Sequence, residues 1–197
     1  MDVREAIDFE GAHLAGAINI GLKGKYATWC GSVLSHAHPI VVIADPGSEV
    51  EAITRLGRIG FDNVAGFLGD GMAALENRPE LLRRIPRITA ATLAELLAEP
   101  NPPYVLDVRS EKEWQSGHVD GSHNIPLNRL RERISEVPAN RPVIVHCEGG
   151  YRSAIGASLL AEAGRSNVTD LVGGYKAWLA SKLPVQSETA CYCRLEK

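Results

Sequence analysis

The sequence predicts an α/β fold: two copies of one module, each a parallel sheet with helices on both faces, with the first copy truncated at its N-terminus. Three observations predict it. Apolar strand-like runs alternate with helix-period stretches through the C-terminal half. The chain also resembles itself. Asp2-Val3-Arg4 through Asn19-Ile20 aligns with Asp107-Val108-Arg109 through Asn124-Ile125 at a constant offset of 105, and seven of nineteen positions are identical, which marks a repeated unit. Finally, the apolar run Val143-Ile144-Val145-His146 leads straight into Cys147, Glu148, two glycines and a helix-forming stretch.

The elements of the second copy follow in order. Thr89 is an N-cap for a helix over 89–98, 100–103 is a proline-rich loop, and 104–107 is a strand. Residues 111–116 form a short helix, 124–125 a short strand, and 127–134 a helix. The central buried strand is 143–146. The helix after Cys147 carries Ile155, Leu159, Leu160 and Ala163 at three- or four-residue steps and ends at Gly164. The last strand is 167–171 and the last helix 175–181.

The first copy continues in register. Pro39-Ile40-Val41-Val42 matches Pro142-Val143-Ile144-Val145 at an offset of 103, Asn63-Val64 matches Asn167-Val168 and Gly69 matches Gly173 at 104. It has no counterpart of the 89–98 helix or of the strand residues before Asp107, so the chain is expected to be a piece of a longer protein or its first module to be incomplete. The expected organisation is an inactive module over 1–78, a linker over 79–87 with Pro79, Pro86 and Arg83-Arg84, an active module over 88–185, and a tail over 186–197.

Cys147 carries the chemistry. A free cysteine titrates near roughly 8.5, and a helix N-terminus favours the thiolate, lowering that to between about 3.5 and 7.5. The unpaired N–H groups of the first turn and the helix dipole supply the field. Gly149 and Gly150 permit positive φ, which lets successive N–H groups face inward as an anion nest. Arg152 adds a fixed charge and a fork of donors for an oxyanion. The expected site is catalytic Cys147 in a loop of Glu148, Gly149, Gly150, Tyr151, Arg152 and Ser153, supported by Asp107 and Arg109. In the first copy Cys147 corresponds to Ala44, followed by Asp45 and Glu49, which oppose an anion. Cys30 lies on another segment, so that copy is read as inactive.

The loop Cys147-Glu148-Gly149-Gly150-Tyr151-Arg152-Ser153 resembles the active-site loop of rhodanese-type sulfurtransferases. Val105-Leu106-Asp107-Val108-Arg109, Glu113-Trp114 and Gly117-His118-Val119-Asp120-Gly121-Ser122 with Asn124-Ile125-Pro126 resemble the other signature of that family, and Leu171-Val172-Gly173-Gly174-Tyr175 with Trp178 its closing motif. The resemblance covers residues 87–184. The whole chain is similar to the C-terminal part of bacterial fusions joining a metallo-β-lactamase-fold persulfide dioxygenase to two rhodanese modules, with Tyr26-Ala27-Thr28-Trp29 and Pro86-Arg87-Ile88-Thr89 as further points of likeness. No metal-binding histidine motif of that fold occurs, so no dioxygenase activity is assigned. The resemblance implies a covalent transfer. The Cys147 thiolate takes sulfane sulfur from thiosulfate or a persulfide, becomes a persulfide, and hands the sulfur to a thiol or to cyanide.

Four residues separate Cys147 from Arg152. Cysteine phosphatases, which the arrangement also resembles, place one residue more there. The tighter ring suits a sulfur better than a tetrahedral phosphoryl group. A phosphatase or arsenate reductase, and a non-enzymatic module that carries persulfide to a partner, remain the alternatives.

The rest of the sequence narrows the setting. The chain has 197 residues, 45% of them apolar, enough for packed cores. A net charge of −3 points to no nucleic acid and no anionic membrane as partner. No apolar run reaches the ~20 residues of a membrane span, and Met1 runs into Asp2-Val3-Arg4-Glu5 without a signal peptide. Four irregularly spaced cysteines suggest a reducing cytoplasm. The expected partners are a small sulfur donor, a thiol acceptor and a persulfide dioxygenase domain or protein; no cofactor and no metal is expected. Asp107, Arg109 and His118 favour a structural role over a catalytic one, because the inactive copy keeps Asp2, Arg4 and His13. His146 is expected to point away from the cysteine by strand alternation. Glu148 and Tyr151 either select substrate or form solvated loop surface. Arg129, Arg131 and Arg133 read as an exposed helix face, His36-Ala37-His38 as a loop, and Cys191-Tyr192-Cys193 as a tail.

Overall fold

In the computed structural model, which describes residues 1–187, the chain divides between Ile85 and Pro86 into two units. The first contains α1 (Ala6–Gly11), β1 (His13–Leu14), α2 (Tyr26–Val33), β2 (Ile40–Val42), α3 (Glu49–Gly57), β3 (Val64–Phe67), 3₁₀ turns at Gly71–Leu75 and Pro79–Leu81, and β4 (Leu82–Arg83). β2 and β3 pair in parallel, and Asp2 bridges in parallel to Ile43 and Asn19. Tyr26 is buried between α2 and α3 and donates its hydroxyl to the Ala52 carbonyl at 3.1 Å.

The second unit contains β5 (Arg87–Ile88), α4 (Ala90–Leu97), β6 (Tyr104–Asp107), α5 (Glu111–Ser116), β7 (His118–Val119), β8 (His123–Asn124), α6 (Leu127–Leu130), a 3₁₀ turn at Ile134–Glu136, β9 (Val143–His146), α7 (Tyr151–Glu162), β10 (Val168–Leu171), α8 (Gly174–Ala180) and β11 (Val185–Gln186). Five strands form one parallel sheet in the order β5-β10-β9-β6-β8. All four residues of β9 are buried, as a central strand covered on both sides requires. On one face Val105, Ile144 and Leu171 pack with Ala90 and Leu93 of α4 and with Tyr175 and Trp178 of α8. On the other, Val145 and Val108 meet α7 so closely that a Cβ on Gly156 would lie 3.4–3.5 Å from Val108, Leu130 and Val145. The mixed α/β fold with a parallel sheet is therefore as the strand–helix alternation predicts.

Local sequence accounts for most of the boundaries. Thr89 caps α4 by accepting the Thr92 N–H at 3.2 Å. Ser110 and Glu113 form a reciprocal capping box at the start of α5. One expectation needs correction. The helix over 127–134 is shorter: only α6 is α-helical, because Leu127 and Leu130 are its buried anchors, and the Arg133 N–H is shared between the Arg129 and Leu130 carbonyls as the chain tightens toward 3₁₀. Residues 79–87, expected as a linker, contain the division between the two units and carry β4 and the start of β5. β4 pairs antiparallel with β1, Ile85 is buried and donates its N–H to Glu10, and β5 joins the second unit's sheet. The apolar Leu82, Ile85 and Ile88 among the prolines and arginines drive that burial.

One local geometry occurs in both units. Arg4 donates to both carboxylate oxygens of Asp2 and to the Ala12 carbonyl at 2.8 Å; Arg109 does the same to Asp107 and to the Gly117 carbonyl at 2.7 Å. His13 stacks on Phe9 and donates Nδ1–H to its carbonyl at 2.8 Å, as His118 does with Trp114. Asn19 donates to the carbonyls of Asp2 and Arg4, and Asn124 to those of Asp107 and Arg109. These networks organise the turn after a strand in both units, although only the second has a cysteine at its loop.

Candidate active site

β9 delivers Cys147 to the carboxyl end of the sheet, and α7 begins four residues later at Tyr151. Open α/β sheets place their ligands at such strand ends. Gly150, the N-cap of α7, sits at φ +114, which an L side chain rarely adopts. This turns its N–H onto Cys147, where it donates to Sγ at 3.1 Å. Sγ lies 3.6 Å from Ser153 Oγ, whose hydroxyl donates to the Gly150 carbonyl at 3.0 Å. The cysteine is only 1% exposed.

The back of the loop is clamped by α8. Tyr175 donates its N–H to the Cys147 carbonyl at 2.8 Å, and Lys176 to the Glu148 carbonyl at 3.0 Å. These bonds tie loop carbonyls away from the sulfur. Gly174, at φ +57, permits the approach: a Cβ there would lie 2.4 Å from the Cys147 carbonyl oxygen.

Arg152 does not present a free fork, contrary to expectation. Its Nη1 and Nη2 donate to Glu113 Oε2 and Oε1 at 2.8 and 2.7 Å. Bidentate pairing of this kind is the strongest geometry available to a guanidinium, so Glu113 outcompetes water for it. Arg152 in turn holds the Glu113 carboxyl down to about 2. The Arg152 proton is held more firmly, first by Glu113 and, against the opposing effect of burial, also by the nearby Cys147.

Arg109 is likewise committed. It is 2% exposed, pairs with Asp107, lies 3.9 Å above the Tyr175 ring, and approaches Glu148 at 3.5 Å. His146 is fully buried, and its Nδ1 donates to the Cys147 carbonyl at 3.3 Å. Its Nε2 stands 3.7 Å from Asp107, and burial lowers its pKa, with Asp107 only partly opposing. The ring is therefore a neutral spacer behind the loop. Tyr151 is half-buried in the first turn of α7.

The remaining candidates lie elsewhere. Arg129, Arg131 and Arg133 pair with Glu132, Glu162 and Glu136 on exposed surface. His36 stacks on Phe61, and no group of three or more metal-ligating side chains occurs among the described residues. Cys191 and Cys193 lie outside the described residues. In the first unit, buried Ala44 occupies the strand end, and the Gly47 N–H is taken by Glu49 Oε2 at 2.8 Å. Glu113 is the site residue that sequence reading did not assign. Its signal was the Ser110-x-x-Glu113 capping box, which places a carboxylate at a defined helix start.

The chain matches the rhodanese-like domain family over residues 89–181. It is 34% identical to thiosulfate sulfurtransferase 16 of Arabidopsis thaliana over 116 residues, covering 53% of this chain and 96% of that protein. It is 30% identical to a sulfurtransferase of Allochromatium vinosum over 98 residues, covering 50% of this chain and 92% of that one. It is 36% identical to the YqhL protein of Bacillus subtilis over 74 residues, 38% of this chain, and spans 59% of that protein's length.

Proposed function

Because this chain belongs to the rhodanese-like domain family, we propose that it is a sulfurtransferase working through a persulfide on Cys147. One observation carries the reading: the Gly150 N–H aimed at Sγ from the N-terminus of α7. A preorganised donor at that position stabilises negative charge on the attacking sulfur and, after transfer, on the persulfide formed there. The clamp of Tyr175 and Lys176 N–H groups on the loop carbonyls holds that donor in place.

The reaction is a double displacement. The Cys147 thiolate attacks the sulfane sulfur of the donor, an S–S bond forms to Cys147, and the donor leaves as sulfite or a thiolate with the electron pair of the broken bond. An acceptor thiol, or cyanide in an assay, then takes the outer sulfur and restores the thiolate. Ping-pong kinetics follow. The catalytic residue is Cys147. Glu148, Gly149, Gly150, Tyr151, Arg152 and Ser153 form its loop, and Asp107 and Arg109 support the strand end behind it.

In the same reading the first unit is an inactive rhodanese-like module, since Ala44 stands where the second has the nucleophile and the Glu49 carboxylate takes the Gly47 N–H. A persulfide dioxygenase domain or protein is the proposed partner, and the cytoplasm the proposed setting. Intact-mass spectrometry after exposure to a sulfane-sulfur donor tests the assignment. One added sulfur on the Cys147 peptide is expected, and none in Cys147→Ala. Undiminished transfer by that variant, or efficient phosphate-ester or arsenate turnover by the native protein, overturns it.

A further inference from the structure

Neither guanidinium at the Cys147 loop is free. Arg152 is held by both oxygens of Glu113, and Arg109 by Asp107 with Glu148 at 3.5 Å. Two cations thus face three carboxylates, and the third, Glu148, is the residue directly after the nucleophile. An incoming group finds no unpaired arginine to receive it. This bears on the donor, because sulfane-sulfur donors differ in what carries the sulfur. In thiosulfate it is a sulfonate, whose charged oxygens sit two bonds from the reacting atom. In an organic persulfide it is a carbon-bound sulfur, which brings no charge of its own next to the loop.

Resting on the sulfurtransferase reading, we propose that the donor is an organic persulfide and that Glu113 is a specificity-determining residue, selecting against thiosulfate by occupying Arg152. The transfer balances without an oxidant: the Cys147 thiolate and R–S–SH give Cys147–S–SH and R–S⁻, with one S–S bond formed and one broken. Only the leaving thiolate carries away charge. A sulfonate seated at the same place would lie near Glu148 and would have to displace Glu113 from a bidentate pair, and charge set against a competing ligand is one way a site discriminates.

The test measures kcat/KM of the full chain for glutathione persulfide and for thiosulfate, with one acceptor thiol, in the native protein and in Glu113→Gln. Glutamine keeps the capping box, so α5 retains its start, but it no longer neutralises Arg152. The native protein is expected to favour the persulfide. In Glu113→Gln the thiosulfate-to-persulfide ratio should rise about tenfold, the worth of one charge-assisted contact, mainly through a lower KM for thiosulfate. A general loss of stability would slow both donors and leave the ratio unmoved. Glu148→Gln, which removes the other carboxylate, should move the ratio the same way. A native preference for thiosulfate, or a ratio that neither variant changes, overturns the proposal while leaving sulfur transfer intact. Transfer from neither donor overturns both.

Discussion

The guanidinium of Arg109 lies flat over the ring of Tyr175, 3.9 Å from its centre, while its other face of donors grips Asp107 and the Gly117 carbonyl. One buried cation thereby joins the strand end of β6, the turn before β7 and the start of α8, which in turn clamps the Cys147 loop. Arg109→Met leaves Asp107 charged and unpaired in the core. Removing one partner of such a pair costs about 3–5 kcal/mol. Urea unfolding is expected to show a loss of that size, together with weakened sulfur transfer; an unchanged midpoint would contradict the assignment.

Gly174 offers a sharper test of the clamp. At φ +57, with the Cys147 carbonyl oxygen where a Cβ would sit, Gly174→Ala must push the loop or α8 aside. Strain at such a position costs about 1–3 kcal/mol. The expected result is a lowered melting temperature and at least a roughly tenfold loss of transfer, because a displaced preorganised donor forfeits that much. A geometrically comparable substitution in the first unit, Gly71→Ala, meets the Ala44 carbonyl at 2.6 Å. It should lower stability while leaving persulfide formation on Cys147 in place.

Acid should destabilise the protein in two windows. Burial holds the His146 pKa below its usual 6.5, so the unfolded chain takes up this proton first and stability falls as pH drops through about 6.5. His13 is shifted the same way, mainly by burial. Glu113, held at about 2 by Arg152 against an ordinary 4.5, contributes stability above pH 4.5 that is lost as pH falls toward 2. Melting temperature against pH should slope less between 7.5 and 5.5 in His146→Gln, and less between about 4.5 and 2 in Glu113→Gln. Parallel profiles for native and variant proteins would refute the corresponding attribution.

Cys30 and Cys147 should differ in reactivity even though both are buried free thiols. Burial pushes the Cys30 thiol up to about 12, and Cys30 lies buried within α2. Alkylation of the folded protein with iodoacetamide at neutral pH, read by peptide mass spectrometry, is expected to spare Cys30, since thiolate reactivity follows ionisation. Labelling of Cys30 ahead of Cys147 would reverse the argument.

The capping residue Ser110 connects stability to the site. It accepts the Glu113 N–H and donates its hydroxyl to the Glu113 carboxylate at 2.6 Å. Ser110→Ala should cost about 1 kcal/mol by chemical denaturation. Thr89→Ala removes the equivalent cap of α4 at a similar cost but touches no part of the Cys147 loop. Only the first should alter the donor preference.

Much of this was legible in the chain. Val143-Ile144-Val145 reads as a buried strand from its apolar run, and Thr89 reads as a cap because its hydroxyl satisfies an orphan N–H group only a few residues away. The recurrence of Asp, Arg, His and Asn at one offset announced a network that the structure displays in both units. The length of α6 and the strand pairings of β4 and β5 were not legible, because they depend on which apolar side chains find cover.

By itself, then, the sequence determined the alternation of strands and helices, the strand–cysteine–glycine–helix unit and the internal likeness, all of which are encoded in periodicity and short-range sterics. The tertiary structure alone decided that Arg152 belongs to Glu113, 39 residues away, and that the Cys147 carbonyl rests against Gly174. Such pairings are set by how elements distant along the chain pack together, and a guanidinium near an anion site goes to whichever carboxylate that packing brings within reach.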